Sequence, residues 1–232
     1  MLDRLIEFDR WLLLAVNGSE SLYLDGLVKT LTNAVTWIPL YVALFYMVMK
    51  NNSTVRKIFF VVACAGVCYL LAGALDDGFV KPFVGRWRPT HDSVIGWQVD
   101  VVDGYRGGRY GFFSAHASNT FSIAVFFSLL VRSRLLSTAL VLWSLVNCWT
   151  RLYLGVHFPG DILVGLLWGA VVGTAVYLFY RRIEQRHSTG MQFISSQYTI
   201  TGYQSSDIDI VVSVLLFTVL YALFRACLML YI

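Results

Sequence analysis

Long apolar stretches, each closed by charged positions, recur along this chain from Leu22 onward. They cover residues 22–49, 58–75, 115–131, 135–149, 162–180 and 211–232. A helix that crosses hydrocarbon needs roughly 20 mainly apolar residues, so each stretch predicts one membrane span. The first stretch is overlong and carries Asp25 and Lys29 early, which places its apolar core at residues 34–49 behind an interfacial turn. Residues 2–16 differ, mixing Leu, Ile, Phe and Trp11 with Asp3, Arg4, Glu7, Asp9 and Arg10. That mixture predicts an amphipathic helix in the headgroup layer. Its start is mixed in sign and its apolar run, residues 11–16, is short for a signal peptide, so the segment is expected to stay on the mature protein.

The pattern therefore predicts an all-α fold: a polytopic membrane helix bundle of about six transmembrane helices plus an N-terminal amphipathic helix. Its expected parts are an interfacial segment at 1–20, a membrane-embedded core at 21–183, a polar linker at 184–209 rich in Ser, Thr, Gln and Tyr, and a final helix at 210–232.

Composition agrees, with 57% hydrophobic and 14% charged residues, against about 25% charged in soluble domains. At 232 residues, little chain is left for a separate soluble domain. The net charge of +4 comes from basic residues scattered over loops beside the spans, which suits anionic lipid surfaces rather than nucleic acid. Lys50, Arg56 and Lys57, then Arg132 and Arg134, then Arg181, Arg182 and Arg186 occupy alternate loops. Such loops face the cytoplasm, which puts the intervening ones outside it, in the expected setting of a bacterial inner membrane. Cys64, Cys68, Cys148 and Cys227 fall inside spans and read as small buried residues, not as a disulfide framework or metal site. Gly165, Gly169 and Gly173, four apart, make a face for close helix contact, either within the chain or with a second copy in a homo-oligomer.

Three polar blocks interrupt this pattern at span edges: Lys81 with Arg88 and Pro89, Ser114-Ala115-His116, and Arg151 with His157 and Asp161. Ionisable groups beside hydrocarbon are costly and persist where they pair, meet water or serve function. Lys81 and Arg88 can converge on one anion, a compact charge beside a planar fork that matches phosphate oxygens. Ser114 can cap the third span and leave backbone amides facing an anion, with His116 in the first turn, within reach of a leaving oxygen. If Pro159 opens the fifth span, Asp161 lies in its first turn, where its carboxylate holds one nitrogen of His157 and leaves the other as a nucleophile. Alone, each block also fits a snorkelling anchor, a structural histidine or an ordinary polar loop.

Together, in order and internal spacing, the blocks resemble the signature of the type 2 phosphatidic acid phosphatase superfamily. That signature is Lys, six residues, Arg-Pro; then Pro-Ser-Gly-His; then Ser-Arg, five residues, His, three residues, Asp. Lys81, Arg88, Pro89, Ser114, His116, Arg151, His157 and Asp161 fall on matching positions, while Phe113, Ala115 and Thr150 stand for Pro, Gly and Ser. A left-handed backbone at the Ala115 position would cost an alanine roughly 1–2 kcal/mol.

The resemblance implies a metal-independent phosphatase with no cofactor. His157 attacks phosphorus, Asp161 orients its ring, and His116 serves as acid and then base. Lys81, Arg88, Arg151, Ser114 and the amide of Ala115 hold the phosphate. The implied substrate is a lipid phosphate or diphosphate, with undecaprenyl diphosphate as first choice and phosphatidylglycerophosphate, phosphatidate and lipid A phosphate as alternatives. The loop 90–110 is placed to cover such a site. From other classes, a vanadate-dependent haloperoxidase-like enzyme and a non-catalytic binder or transporter of lipid phosphates remain open.

Overall fold

The computed structural model describes residues 2–185 and 196–230. Among them the architecture is helical: α1 Leu2–Leu14, α2 Leu22–Thr32, α3 Ile38–Lys50, α4 Val55–Tyr69, α5 Lys81–Val84, α6 Ala115–Val131, α7 Arg134–Tyr153, α8 Pro159–Glu184 and α9 Ser205–Leu228. Helix starts follow local chemistry. Ser21, Thr54, Ser114 and Ser133 each accept a backbone N–H at the start of α2, α4, α6 and α7, filling donors that a first turn leaves without partners.

Four helical stretches are long and apolar enough to cross a membrane: Val55–Val84, Arg134–Tyr153, Pro159–Glu184 and Ser205–Leu228. The first expected span is a broken one, bent by 65° between Leu22–Thr32 and Ala34–Lys50. Asn33 makes the break, with extended backbone and its side chain accepting from Val35 N–H. α6 is shorter, at 17 residues. This is the all-α membrane bundle that the pattern of apolar stretches predicts, a conventional span being replaced in two places by a bent or a short helix.

Two boundaries differ from expectation. The second span does not stop at Leu75 but continues helically through two π-helical stretches to Val84. The carboxylates that end the apolar run, Asp76 and Asp77, both pair with Lys81 about one turn on, so the ammonium offsets part of their charge and the rod need not break. Its end comes at Gly85, left-handed at φ 64°, which supplies the C-terminal cap. Likewise α9 begins at Ser205, within the stretch expected as linker. Thr201 donates to Val131 O at 2.7 Å, and the buried Tyr203 receives an Asn52 N–H at 3.3 Å. Arg186 and His187 lie outside the described residues.

α6 sits at the centre, and α8 is its largest neighbour. The glycines explain how closely they approach. A Cβ at Gly165, Gly169 or Gly173 would lie 2.7, 2.6 or 2.5 Å from the carbonyl oxygen of Ser114, Ser118 or Ser122. Within the chain, the small-residue face packs against α6. A large apolar core joins α2, α3, α4, α6, α7, α8 and α9, around Leu40, Met47, Val61, Phe126, Leu136 and Leu140.

The helix ends segregate. Lys57 and Arg56 meet Glu184 at 3.9 and 3.4 Å, Asn51 meets Asp207 at 2.8 Å and Thr201 meets Val131 O at 2.7 Å, which gathers the α3–α4 connection, the ends of α6 and α8 and the start of α9 at one end. The three polar blocks lie at the other. There α1 and the 90–110 loop share a small core of Leu13, Ile95, Val99 and Phe158. Arg10 pairs with Asp92 at 2.9 Å, and Asn17 donates to Asp100 O and Tyr153 O. Leu5, Phe8 and Trp11 of α1 face outward, as expected of a helix that meets lipid, while Asp9 and Arg10 turn inward. Cys64, Cys68 and Cys148 are buried and Cys227 is exposed; all four are free thiols.

Candidate active site

Lys81 lies in the last turn of the rod that runs from α4 to Val84, its ammonium 3.1 Å from Asp76 Oδ2 and paired with Asp77. Asp76 is fully buried, and its other oxygen accepts Phe113 N–H at 3.2 Å, so it ties the Lys81 helix to the segment that leads into α6. The sequence reading gave neither carboxylate a role. They are visible only as a break in hydropathy, and their service as counter-charges needs the continued helix.

Beyond Gly85 the chain forms a short ribbon in which Trp87 bridges Tyr110, Gly111 N–H donates to Arg86 O at 2.9 Å and Arg88 N–H to Arg109 O at 3.3 Å. This ribbon aims Arg88 inward. Its Nε donates to Tyr110 O at 3.1 Å and its Nη1 to Val156 O at 3.2 Å, and Nη1 also lies 3.4 Å from His157 Nε2. Burial holds its guanidinium below the usual arginine range. Gly107, left-handed at φ 66°, allows the close passage: a Cβ there would lie 2.9 Å from Nη1.

Ser114 caps α6 by accepting Ala117 N–H at 3.4 Å, and its own N–H donates to Asp161 O at 3.1 Å, which fixes the start of α6 against the start of α8. Ala115 occupies the first helical position and is buried. Among described non-glycine residues only Asp103 and Arg132 have positive φ, so the left-handed strain feared for an alanine there does not arise. His116 follows one residue on, with Arg151, His157, Lys81 and Arg88 as its charged surroundings.

Arg151 comes from the last turn of α7 and is buried, donating to Thr32 O at 3.4 Å. Its Nε has no hydrogen-bond partner. A buried guanidinium with an unused donor is costly unless an acceptor arrives. Thr150 points elsewhere: it donates to Asn147 O at 2.7 Å and meets Thr32 at 3.2 Å, so its hydroxyl serves helix packing.

The third block folds as its residues predict. Pro159 opens α8 and Asp161 stands at its third position, where Oδ2 accepts Phe158 N–H at 3.0 Å. The same oxygen lies 3.6 Å from His157 Nδ1, an ion-pair distance and too long for a strong hydrogen bond. Oδ1 takes a bond from Arg86 Nη1 at 2.6 Å. The neighbours of Arg86 in sequence carry no hint that it reaches Asp161. His157 is almost wholly buried. Burial pushes its imidazole down to about 4, against the upward pull of Asp161 and with a further push from Arg88. The ring is therefore neutral at ordinary pH, with Nδ1 toward a carboxylate and Nε2 toward a cation.

Beside these groups lies a cavity of about 330 Å³ lined by His116, Arg151, Tyr105, Thr32, Asn33 and Lys29, among others. Tyr105, from the 90–110 loop, lines this cavity together with Arg151 and His116. Lys29 and Asp103 pair at its edge. The loop therefore does cover the site. Trp97 does not share in this and is largely exposed. No group of three or more His, Cys, Asp or Glu gathers among the described residues in a way that could hold a metal ion.

Residues 61–185 match the PAP2 superfamily. Among curated proteins, the chain is 37% identical over 187 residues to the lipid A 4'-phosphatase of Bacteroides thetaiotaomicron, covering 80% of this chain and 83% of that one. It is 34% identical over 181 residues to the lipid A 4'-phosphatase of Porphyromonas gingivalis, covering 77% and 75%. A shorter match, 35% over 97 residues, is to the decaprenylphosphoryl-5-phosphoribose phosphatase of Mycobacterium tuberculosis, covering 42% of this chain and 49% of that one. No solved structure matches. The chain belongs to the PAP2 superfamily, as an integral membrane lipid phosphatase.

Proposed function

We propose that this PAP2-superfamily phosphatase removes a phosphate monoester from a glycolipid headgroup of the lipid A kind. One observation carries the chemistry: Arg88, Arg151 and a neutral His157 converge at helix ends, with an unused donor on buried Arg151. The two long matches to lipid A 4'-phosphatases support the substrate class and move it ahead of undecaprenyl diphosphate.

In this reading the phosphate sits against Arg88, Arg151, Lys81 and the first amides of α6. His157 Nε2 attacks phosphorus; a nitrogen–phosphorus bond forms as the bond to the sugar oxygen breaks, and protonated His116 gives its proton to that oxygen. Water then attacks the phosphohistidine while His116 takes its proton back, and the nitrogen–phosphorus bond breaks to release inorganic phosphate. The cations stabilise charge on the equatorial oxygens through both steps. Asp161 holds Nδ1 and balances positive charge on the ring.

The same reading places the site outside the cytoplasm. Lys50, Arg56, Lys57, Arg132, Arg134, Arg181 and Arg182 all flank connections at the opposite end, which the positive-inside rule assigns to the cytoplasm of a bacterial inner membrane.

The test is phosphate release by purified full-length protein in detergent with excess chelator, offering lipid A, undecaprenyl diphosphate, phosphatidylglycerophosphate and phosphatidate beside a His157→Ala control. Release from lipid A in preference to the others, lost in the control, is the expected result. A folded protein that releases phosphate from none of them refutes hydrolysis and favours the lipid-phosphate binder or transporter.

A further inference from the structure

The N-terminal helix reaches the heart of this site through one ion-pair chain. Asp9 Oδ2 of α1 pairs with Arg86 Nη2 at 2.6 Å, and Arg86 Nη1 pairs with Asp161 Oδ1 at 2.6 Å. The Arg86 guanidinium lies 4.3 Å above the Phe158 ring, which packs it flat. The other oxygen of Asp9 accepts Gly160 N–H at 2.7 Å, so α1 also supplies an acceptor to the first turn of α8. Asp161 itself is completely buried. Asp9 lies outside residues 61–185, the part of the chain that matches the superfamily.

We propose that Arg86, clamped by Asp9, is a positioning residue that holds the Asp161 carboxylate against His157 Nδ1, so that turnover depends on the docked N-terminal helix. The claim rests on the phosphohistidine reading of the site. A buried carboxylate with one backbone donor and a ring nitrogen at 3.6 Å is poorly anchored. Arg86, shared between Asp9 and Asp161, supplies the counter-charge on that side and fixes Oδ1, which leaves Oδ2 to face Phe158 N–H and His157. Arg86 alone would be a long side chain with many rotamers; Asp9 and the Phe158 ring remove them. The other charged groups facing Asp161 are His157 and Arg88. Arg88 approaches the far nitrogen of the ring and cannot replace Arg86 at Oδ1.

The arrangement also explains why α1 turns Asp9 and Arg10 inward while Leu5, Phe8 and Trp11 face outward. Its polar face closes on Arg86, Gly160 and Asp92, and its apolar face is left for lipid.

The experiment compares Asp9→Asn, Arg86→Gln, Arg86→Lys and Asp161→Asn in the full chain, the first three also combined with Asp161→Asn, reading kcat and KM on lipid A. It is paired with imidazole nitrogen resonances of His157 in ¹⁵N-histidine-labelled protein, assigned by their loss in His157→Gln. Asp9→Asn and Arg86→Gln are expected to lower kcat by about tenfold or more with KM within about twofold. Arg86→Lys should recover part of the loss, neither change should add to Asp161→Asn, and the Nδ1 resonance of His157 should shift. A kcat within about twofold of the parent with an unchanged resonance overturns the proposal, as do losses that multiply with Asp161→Asn. Should the parent release no phosphate from any lipid, the hydrolase reading fails, and the resonances alone decide positioning: a shift in Asp9→Asn and Arg86→Gln upholds it, no shift overturns it.

Discussion

Arg88 Nη1 stands 3.4 Å from His157 Nε2 on the side of the ring opposite Asp161. An imidazole between a guanidinium and a carboxylate has a directed polarity: Nδ1 is the place for its proton and Nε2 the place for its lone pair. With a phosphate in place, the guanidinium has better acceptors in the phosphate oxygens, and Nε2 is left facing phosphorus.

The first prediction concerns pH and stability. In the unfolded chain His157 takes a proton near 6.5, whereas burial in the folded chain pushes it down to about 4. Between those values protons favour the unfolded form. The contribution of neutral His157 is therefore complete above pH 6.5 and is lost as pH falls toward 4. A gap of this size corresponds to about 3 kcal/mol. Thermal unfolding in detergent should show the parent losing more midpoint temperature than His157→Gln between pH 7 and pH 4.5. Parallel profiles would show that the ring is not held neutral by burial.

Arg88→Lys should separate charge from geometry. The guanidinium spans Tyr110 O, Val156 O and the His157 ring at once, and an ammonium has neither the reach nor the fork to do so. We expect kcat to fall about 100-fold, near 2.7 kcal/mol of transition-state stabilisation, with the fold intact. Steady-state kinetics on lipid A check it, and a kcat unchanged within about threefold would remove Arg88 from the phosphate cradle.

The blocks at Lys81, Ser114 and His157 were legible in the sequence because each residue type announces its task locally: a cap, a helix-start acid, a proline at the first helical position. The spans were legible because hydropathy has no other outlet in lipid. Less legible was whatever depends on residues far apart. Asp76 and Asp77 read as the end of a span, yet both pair with Lys81 and the helix runs on to Val84. Arg86 and Asp9 lie 77 positions apart and meet only because α1 folds back onto the start of α8. The bend at Asn33 was foreshadowed by Asp25 and Lys29, but not its angle, which the packing of α2 against α7 and α9 sets.

Gly169→Ala tests where the small-residue face is used. The added methyl would meet Ser118 O at 2.6 Å and Ser122 N at 3.1 Å, both backbone atoms of α6 that cannot swing away. A loss of about 1–3 kcal/mol is expected from the forced separation of α6 and α8. Gly66→Ala in α4, where a Cβ meets nothing within 4 Å, should be neutral or stabilising by up to about 1 kcal/mol through helix propensity. Unfolding midpoints of the two variants, with mass measured in detergent, give the comparison. A Gly169→Ala protein that unfolds like the parent but has lost a subunit would mean that the face joins two copies.

Ala115→Gly asks whether the departure from the Pro-Ser-Gly-His pattern matters. Ala115 is buried at the first helical position and has no positive φ, so a glycine there relieves no strain. It adds only backbone freedom to the unfolded chain, which costs about 0.5–1 kcal/mol. The backbone amide is the same in either residue. Phosphate release by Ala115→Gly should therefore stay within about threefold of the parent while its unfolding midpoint drops. A gain of tenfold or more in kcat would show that the methyl group crowds the cradle, and the parent would then be a slowed enzyme whose alanine trades turnover for retention of the lipid phosphate.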